Sequence, residues 1–279
     1  MLEDACTKEM FCAMDGFLVL MSVLSTIQPA HSWPVADVGD QIVADVLEAT
    51  RLVFAILSES MHNHAVNAKF FEQSVGYESL SQAALPLLSD PKTVDETLGF
   101  IVALSLHDFS VSGLFDVSPS VTYDSIDARL KDASPWMSTI RHAGAMRVLY
   151  TSIAVLPPGE RDASLRRYYI YRLLERLSAH NHRNYAILNS LHLVGQLFDT
   201  YLSSAAAASG SSTPAEGACA SADAVTATPK AERSVVLKLL KRLLELGSTS
   251  EEARLMFQKA LKGDETFEWG CFGGVEGGG

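Results

Sequence analysis

The stretch HNHAVNAKFFEQSVGYESLSQAALPLL, His62–Leu88, decides how this chain is to be read. It spells a turn, a short helix, a glycine break and a second helix. Asn63 is expected to cap or hold the entry turn, since Asn accepts turn backbones and bonds nearby amides. Val66, Phe70 and Phe71 recur at helical spacing and predict an apolar stripe on the short helix. Gly76 permits an exit through a left-handed residue. Tyr77, Leu80, Ala84 and Leu87 rebuild the stripe on the next helix, with Pro86 near its end or kinking it. Such a hairpin cannot bury its face alone, so it implies neighbours of the same kind.

Upstream, Val43, Leu47, Thr50, Phe54 and Leu57 share one face, while Asp45, Glu48 and Arg51 lie off it. The pattern predicts a long amphipathic helix, capped by Asp40 and ending near Met61. Before it, Gln28–Gly39 reads as a loop. GFLVLMSVLSTI, from Gly16, is apolar on nearly every face and is expected to be central, covered on several sides.

Downstream, Ser89-Asp90-Pro91 marks a turn, with Pro91 suited to an early helix position. A buried helix follows through Leu98, Ile101, Val102 and Leu106. From His107 to about Pro135 the pattern weakens into a long loop, with SIDARLKDA as a short helical turn and SVTY too short to weigh as a strand. Helical spacing resumes in IRHAGAMRVLYTSIAVL, is broken by Pro157-Pro158-Gly159, and returns in SLRRYYIYRLLERLSAH. The entry tripeptide then recurs: His62-Asn63-His64 reappears as His180-Asn181-His182. Asn67 finds a counterpart in Asn184, Phe70-Phe71 in Ile187-Leu188, and Gly76 approximately in Gly195. A long helix precedes each copy, the order a degenerate solenoid repeat predicts.

Residues 203–229 are low in complexity and lack large apolar side chains, so they are expected to form a disordered linker. AERSVVLKLLKRLLELG and EEARLMFQKAL supply further helices. The sequence therefore predicts an all-α, armadillo/HEAT-like α-solenoid with a disordered low-complexity insertion. Its divisions are helical repeats over 1–202, the linker over 203–229, a further repeat over 230–262 and a flexible tail over 263–279.

A formal net charge of −11 argues against nucleic acid as the main partner, because phosphate binding needs a basic surface. It also disfavours anionic lipid. Cys6, Cys12, Cys219 and Cys271 form no zinc-like spacing and suit a reduced, cytoplasmic chain. The acidic start MLEDACTKE is unlike a signal peptide. No apolar run approaches the ~18–20 residues that span a bilayer.

Catalytic motifs are absent. HNH nucleases disperse their named residues over a ββα metal site, so the contiguous tripeptide reads as a polar inter-helix turn, with metal binding by His62 and His64 the lesser reading. Asp95-Glu96 and Glu251-Glu252 suit helix starts. Arg166-Arg167 beside Tyr168-Tyr169 reads as a solvated face over core tyrosines. Ser110, Ser112 and Gly113 lack the setting of a nucleophile elbow. Asn67 and Asn184 invite comparison with peptide-gripping asparagine ladders, but backbone capping accounts for them. No cofactor or metal is expected.

NAKFFEQSVGYESLSQAAL at Asn67–Leu85 and GFLVLMSVLST at Gly16–Thr26 resemble the N-terminal armadillo-like region of large BEACH-domain proteins of Alfy/neurobeachin-like, fungal type. IRHAGAMRVLYTSIAVLPP at Ile140–Pro158 and RLLERLSAHNHRNYAILNSLHLVGQLFD at Arg172–Asp199 extend the resemblance. It implies a non-catalytic scaffold segment serving vesicle trafficking or selective autophagy, cytoplasmic and at most peripheral to endomembranes, with protein partners. A free-standing armadillo/HEAT adaptor is the alternative. An all-α enzyme built from His107, Asp108, His142 and Glu160 is the reading from another class. Phe17, Leu18, Leu20, Arg166 and Arg167 are the candidate interaction residues. Gly16–Leu24 in particular is expected to be an interface prone to self-association, because it is too apolar for a solenoid end.

Overall fold

Helical apolar spacing is realised as helix throughout the computed structural model, which describes residues 4–27, 39–115, 117, 120–132, 139–156, 161–198 and 222–245. The elements are α1 (Ala5–Ala13), α2 (Gly16–Thr26), α3 (Gly39–Met61) and α4 (Ala65–Phe70), which runs into a π-helical turn at Phe71–Val75. Then come α5 (Tyr77–Leu88), α6 (Val94–Leu106), a 3-10 segment at Phe109–Leu114, α7 (Tyr123–Asp132) and α8 (Ala143–Ser152). The chain continues through α9 (Arg161–His180), α10 (His182–Ser190), α11 (193–198) and α12 (Ala222–Glu245). No strand occurs among the described residues. The fold is an all-α solenoid, dividing into two compact units, Met1–Ile170 and Tyr171–Gly279.

In the first unit, helices three apart in sequence stack on one another. α2 packs on α5 and α5 on α8, while α3 packs on α6. Aromatic rings tie this stack together. Phe71 is fully buried, with its centroid 5.4 Å from Phe17 and 5.1 Å from Tyr77 in edge contact. Across Tyr77 lies Gly144 of α8, where an added Cβ would sit 1.9 Å from the ring. Only glycine admits that approach.

The hairpin from His62 forms as expected, with one correction at Val66. His64 caps α4: its Nδ1 accepts the Asn67 N–H at 3.2 Å. Asn63 holds the entry turn, the other of its two expected roles, in the left-handed position with φ 51°. Val66 is 71% exposed and off the stripe: the buried side of α4 is Asn67, and the π-helical turn continues it through Phe71 and Val75. Gly76 has φ 83° and donates its N–H to Phe71 O at 2.6 Å, closing that turn. Leu80, Ala84 and Leu87 are fully buried, and Pro86 lies inside α5 near its end. Pro91 falls in the turn ahead of α6 and outside the helix.

The repeat keeps the expected pairing of Asn67 with Asn184 and of Phe71 with Leu188, while the tripeptides fall out of register. Asn181 caps α10 through Oδ1, accepting the Asn184 N–H at 2.7 Å. His64 therefore matches Asn181, and the His-Asn-His tripeptides are one residue out of phase. Asn67 and Asn184 are equivalent, both buried three residues past the cap, and Phe71 and Leu188 are equivalent core residues. Gly195 makes no break, since it lies within α11; His192, with φ 54°, takes the left-handed position.

The long loop expected over His107–Pro135 is largely structured. Asp108 opens the 3-10 segment by accepting from Ser110 N–H, and α7 is a helix of ten residues. Phe115, Val117, Val121, Ile126 and Leu130 are buried, and Tyr168 Oη donates to Asp127 Oδ1 at 3.1 Å. Tertiary anchoring supplies what local patterning lacks. The expected linker also needs correction: α12 begins at Ala222, so residues 222–229 are helical. The remainder of that linker, the Asp40 side chain, Pro157–Glu160, the last helix and the tail lie outside the described residues. In the second unit Tyr185 Oη donates to Leu243 O at 3.0 Å, and Glu175 accepts from Arg172 and Arg242.

Candidate functional site

Two places gather unusual side chains. The first is the junction of α1, α3 and α6. Lys8 is 4% exposed and donates to Glu59 Oε1 at 3.1 Å and to His62 O at 2.8 Å. His107 occupies a left-handed turn at the end of α6, with φ 55°. That turn brings its ring parallel to His62, centroids 3.8 Å apart and 7° from coplanar. Ser58 Oγ and His107 Nδ1 share a hydrogen bond of 2.6 Å, and His107 Nε2 lies 4.0 Å from Glu59 Oε2. Arg141 and His142 approach from the start of α8, both donating backbone N–H groups to Ser105 O.

Ser58, His107 and Glu59 superficially have the order of a nucleophile, base and orienting acid. The environment removes that chemistry. Ser58 is 1% exposed within α3, where a substrate carbonyl has no access to its hydroxyl. Glu59 is already committed to Lys8. The adjoining cleft, lined by Ala5, Lys8, Glu59, His62, Asn63 and His64, has a volume of about 190 Å³, below the range typical of small-molecule sites. Of the enzyme quartet, His107 and His142 do come together, Asp108 caps the 3-10 segment, and Glu160 lies outside the described residues. His64 spends its Nδ1 on a cap, so the tripeptide's rings serve separate local roles. Among the described residues no group of three or more His, Cys, Asp or Glu is placed to hold a metal ion.

The cluster has an electrostatic consequence. Burial pushes His142 down to about 4, helped by the positive charges that His107, His62 and Arg141 present. Burial, with His62 next, lowers His107 as well, Arg141 and Lys8 adding to this and Glu59 opposing it. A histidine depressed in the fold binds its proton more readily once unfolded. Its stabilisation is whole above about pH 6.5 and is lost as pH falls towards about 4. For His142 the complete loss is roughly 3 kcal/mol. Urea midpoints at pH 7.5 and pH 4.5 should therefore diverge in the parent chain and converge in His142→Gln. An unchanged acid slope in His142→Gln would refute the assignment.

The second place is the outer side of α1 and α2. α2 buries Phe17, Leu20, Met21 and Leu24, so Phe17 and Leu20 belong to the core rather than to an exposed surface. Its other side is not covered by the described residues, contrary to a helix enclosed on several sides: Leu18, Val19 and Val23 are 53%, 56% and 42% exposed. Met10 and Met14 of α1 are also exposed. Arg166 is not on a solvated face. It is 8% exposed and grips Asp95 through two hydrogen bonds, at 2.6 and 3.1 Å. Arg167 is half-buried and donates to Ser164 Oγ at 2.8 Å. Sequence reasoning found Leu18 but not the methionines, whose spacing of four at the end of α1 was the available signal. Among the described residues no single helix is long and apolar enough to cross a membrane.

A family model of armadillo-like repeats matches residues 1–249. No curated protein and no solved structure gives a significant match.

Proposed function

We propose, since this chain belongs to the armadillo-like repeat family, that it is a non-catalytic protein-interaction scaffold segment. Armadillo-like repeats generally mediate protein–protein interaction. The observation that carries the reading here is the apolar strip on α2, which the fold leaves open while committing its clustered polar groups to one another. Leu18 is the sequence-predicted contact residue that lies on it.

The test is site-specific photocrosslinking in cells. A crosslinker at Leu18 or Val23 should capture other proteins, whereas one at the exposed Glu78 of α5 should not. Absence of crosslinks from α2 would defeat the reading. So would a turnover found with the pure chain and abolished by His107→Asn, which would favour the enzyme reading.

The resemblance to BEACH-domain proteins extends the proposal to a scaffold in vesicle trafficking or selective autophagy, working in the cytoplasm and peripherally at endomembranes. Sequence resemblance alone supports that extension. A reading frame that continues into a BEACH domain is its direct test; one without it favours a free-standing armadillo/HEAT adaptor.

A further inference from the structure

Every charge in residues 4–27 that reaches solvent is negative. Asp4, Glu9 and Asp15 are exposed, whereas Lys8 is buried and held by Glu59 and His62. Glu9 sits beside Met10, and Asp15 between Met14 and the first turn of α2. From Gly16 to Thr26 there is no charge at all. The outer side of α2 thus offers Leu18, Val19 and Val23, bordered by Ser22 and Thr26, with the exposed Asp15 at its N-terminal end; the exposed Met10, Met14, Asp4 and Glu9 lie on the segment before it, Glu9 with Oε1 4.0 Å from His64 Nε2.

We propose that this face binds a basic amphipathic helix, with an apolar stripe on Leu18, Val19 and Val23 and Lys or Arg side chains towards Glu9 and Asp15. The inference rests on the scaffold reading and names its partner class. A helix laid on an apolar face is anchored by residues at i, i+3, i+4 and i+7. Methionine adapts its shape to such anchors, and complementary charge steers the encounter and fixes its direction. Two other occupants are disfavoured by the same charges. A second copy would bring identical carboxylates together on chains that each carry −11. An anionic membrane would meet those carboxylates with its own negative charge.

The test uses the full chain and a labelled designed helix of about twenty residues, long enough to present several turns of apolar stripe, bordered by Lys and Arg. A control peptide carries Glu at those positions. Fluorescence anisotropy should show the basic peptide binding at least tenfold more tightly. Leu18→Ser with Val19→Ser should weaken it at least tenfold, and Glu9→Gln with Asp15→Asn about threefold, with a flatter salt dependence. Both pairs are surface changes whose fold circular dichroism can verify. Equal affinity for the two peptides, or indifference to both variant pairs, would overturn the proposal. A dimer dissolved by Leu18→Ser would assign the face to a second copy. Binding to phosphatidylcholine–phosphatidylserine vesicles without peptide binding would assign it to lipid. Crosslinks from Leu18 to cellular proteins in a chain that fails the peptide assay would leave the scaffold reading standing and remove only this partner class.

Discussion

Phe71→Ala is expected to cost about 3–5 kcal/mol, which urea unfolding of the full chain would show as a lowered midpoint. Phe71 has no exposed surface and contacts the rings of Phe17 and Tyr77. Tyr77 in turn closes on Gly144, so the ring stack has no slack to collapse into the vacated volume. Phe70 offers the internal comparison. It is half-buried and stands farther from Phe17, at 6.1 Å, so Phe70→Ala should cost clearly less. Val66→Ala should be nearly neutral, since Val66 is mostly exposed. Equal effects at Phe70 and Phe71 would mean that the π-helical turn does not set the buried face.

That turn shows where a sequence stops being legible. Apolar spacing and Gly76 were enough to place two helices and a break between His62 and Leu88. They could not show that α4 widens into a π-helical turn, because a one-residue bulge leaves the composition unchanged. Left-handed turns were hidden too, except at Asn63, which is expected to hold the entry turn. Asp15, Asn63, His107 and His192 fill them, residue types that tolerate the conformation without advertising it as glycine does. α7 reads from sequence as only a short helical turn within a loop, because Ile126 and Leu130 are nearly its only apolar residues. Its order comes from Arg161 donating to Val121 O and Tyr168 donating to Asp127, contacts that no local pattern encodes.

The sites follow the same division. An all-round apolar α2 was visible in the sequence, but which half is covered depends on where α3 and α5 pack. His62, His107 and His142 come from three separate turns, so only the fold gathers them. The repeat is visible in the sequence through the recurring tripeptide, and the paired asparagines keep their spacing from cap to core in both copies. The matching tripeptides, more conspicuous to the eye, misled by one residue.

Arg166 and Asp95 are expected to give the second large effect, and an asymmetric one. Their bidentate contact is among the stronger polar geometries and is mostly shielded, with side-chain exposures of 10% and 19%. Asp95→Ala leaves the buried guanidinium unpaired, a change that typically costs about 3–5 kcal/mol. Arg166→Ala leaves a carboxylate in the first turn of α6, where the helix dipole still favours negative charge. It should therefore cost less than Asp95→Ala. The joint replacement Asp95→Leu with Arg166→Met removes both charges and should recover most of the loss, because desolvation offsets much of what a buried pair contributes. Chemical denaturation of the three variants measures the cycle. Equal single losses would show that the start of α6 does nothing for Asp95, and a strictly additive double variant would show that the two side chains do not depend on each other.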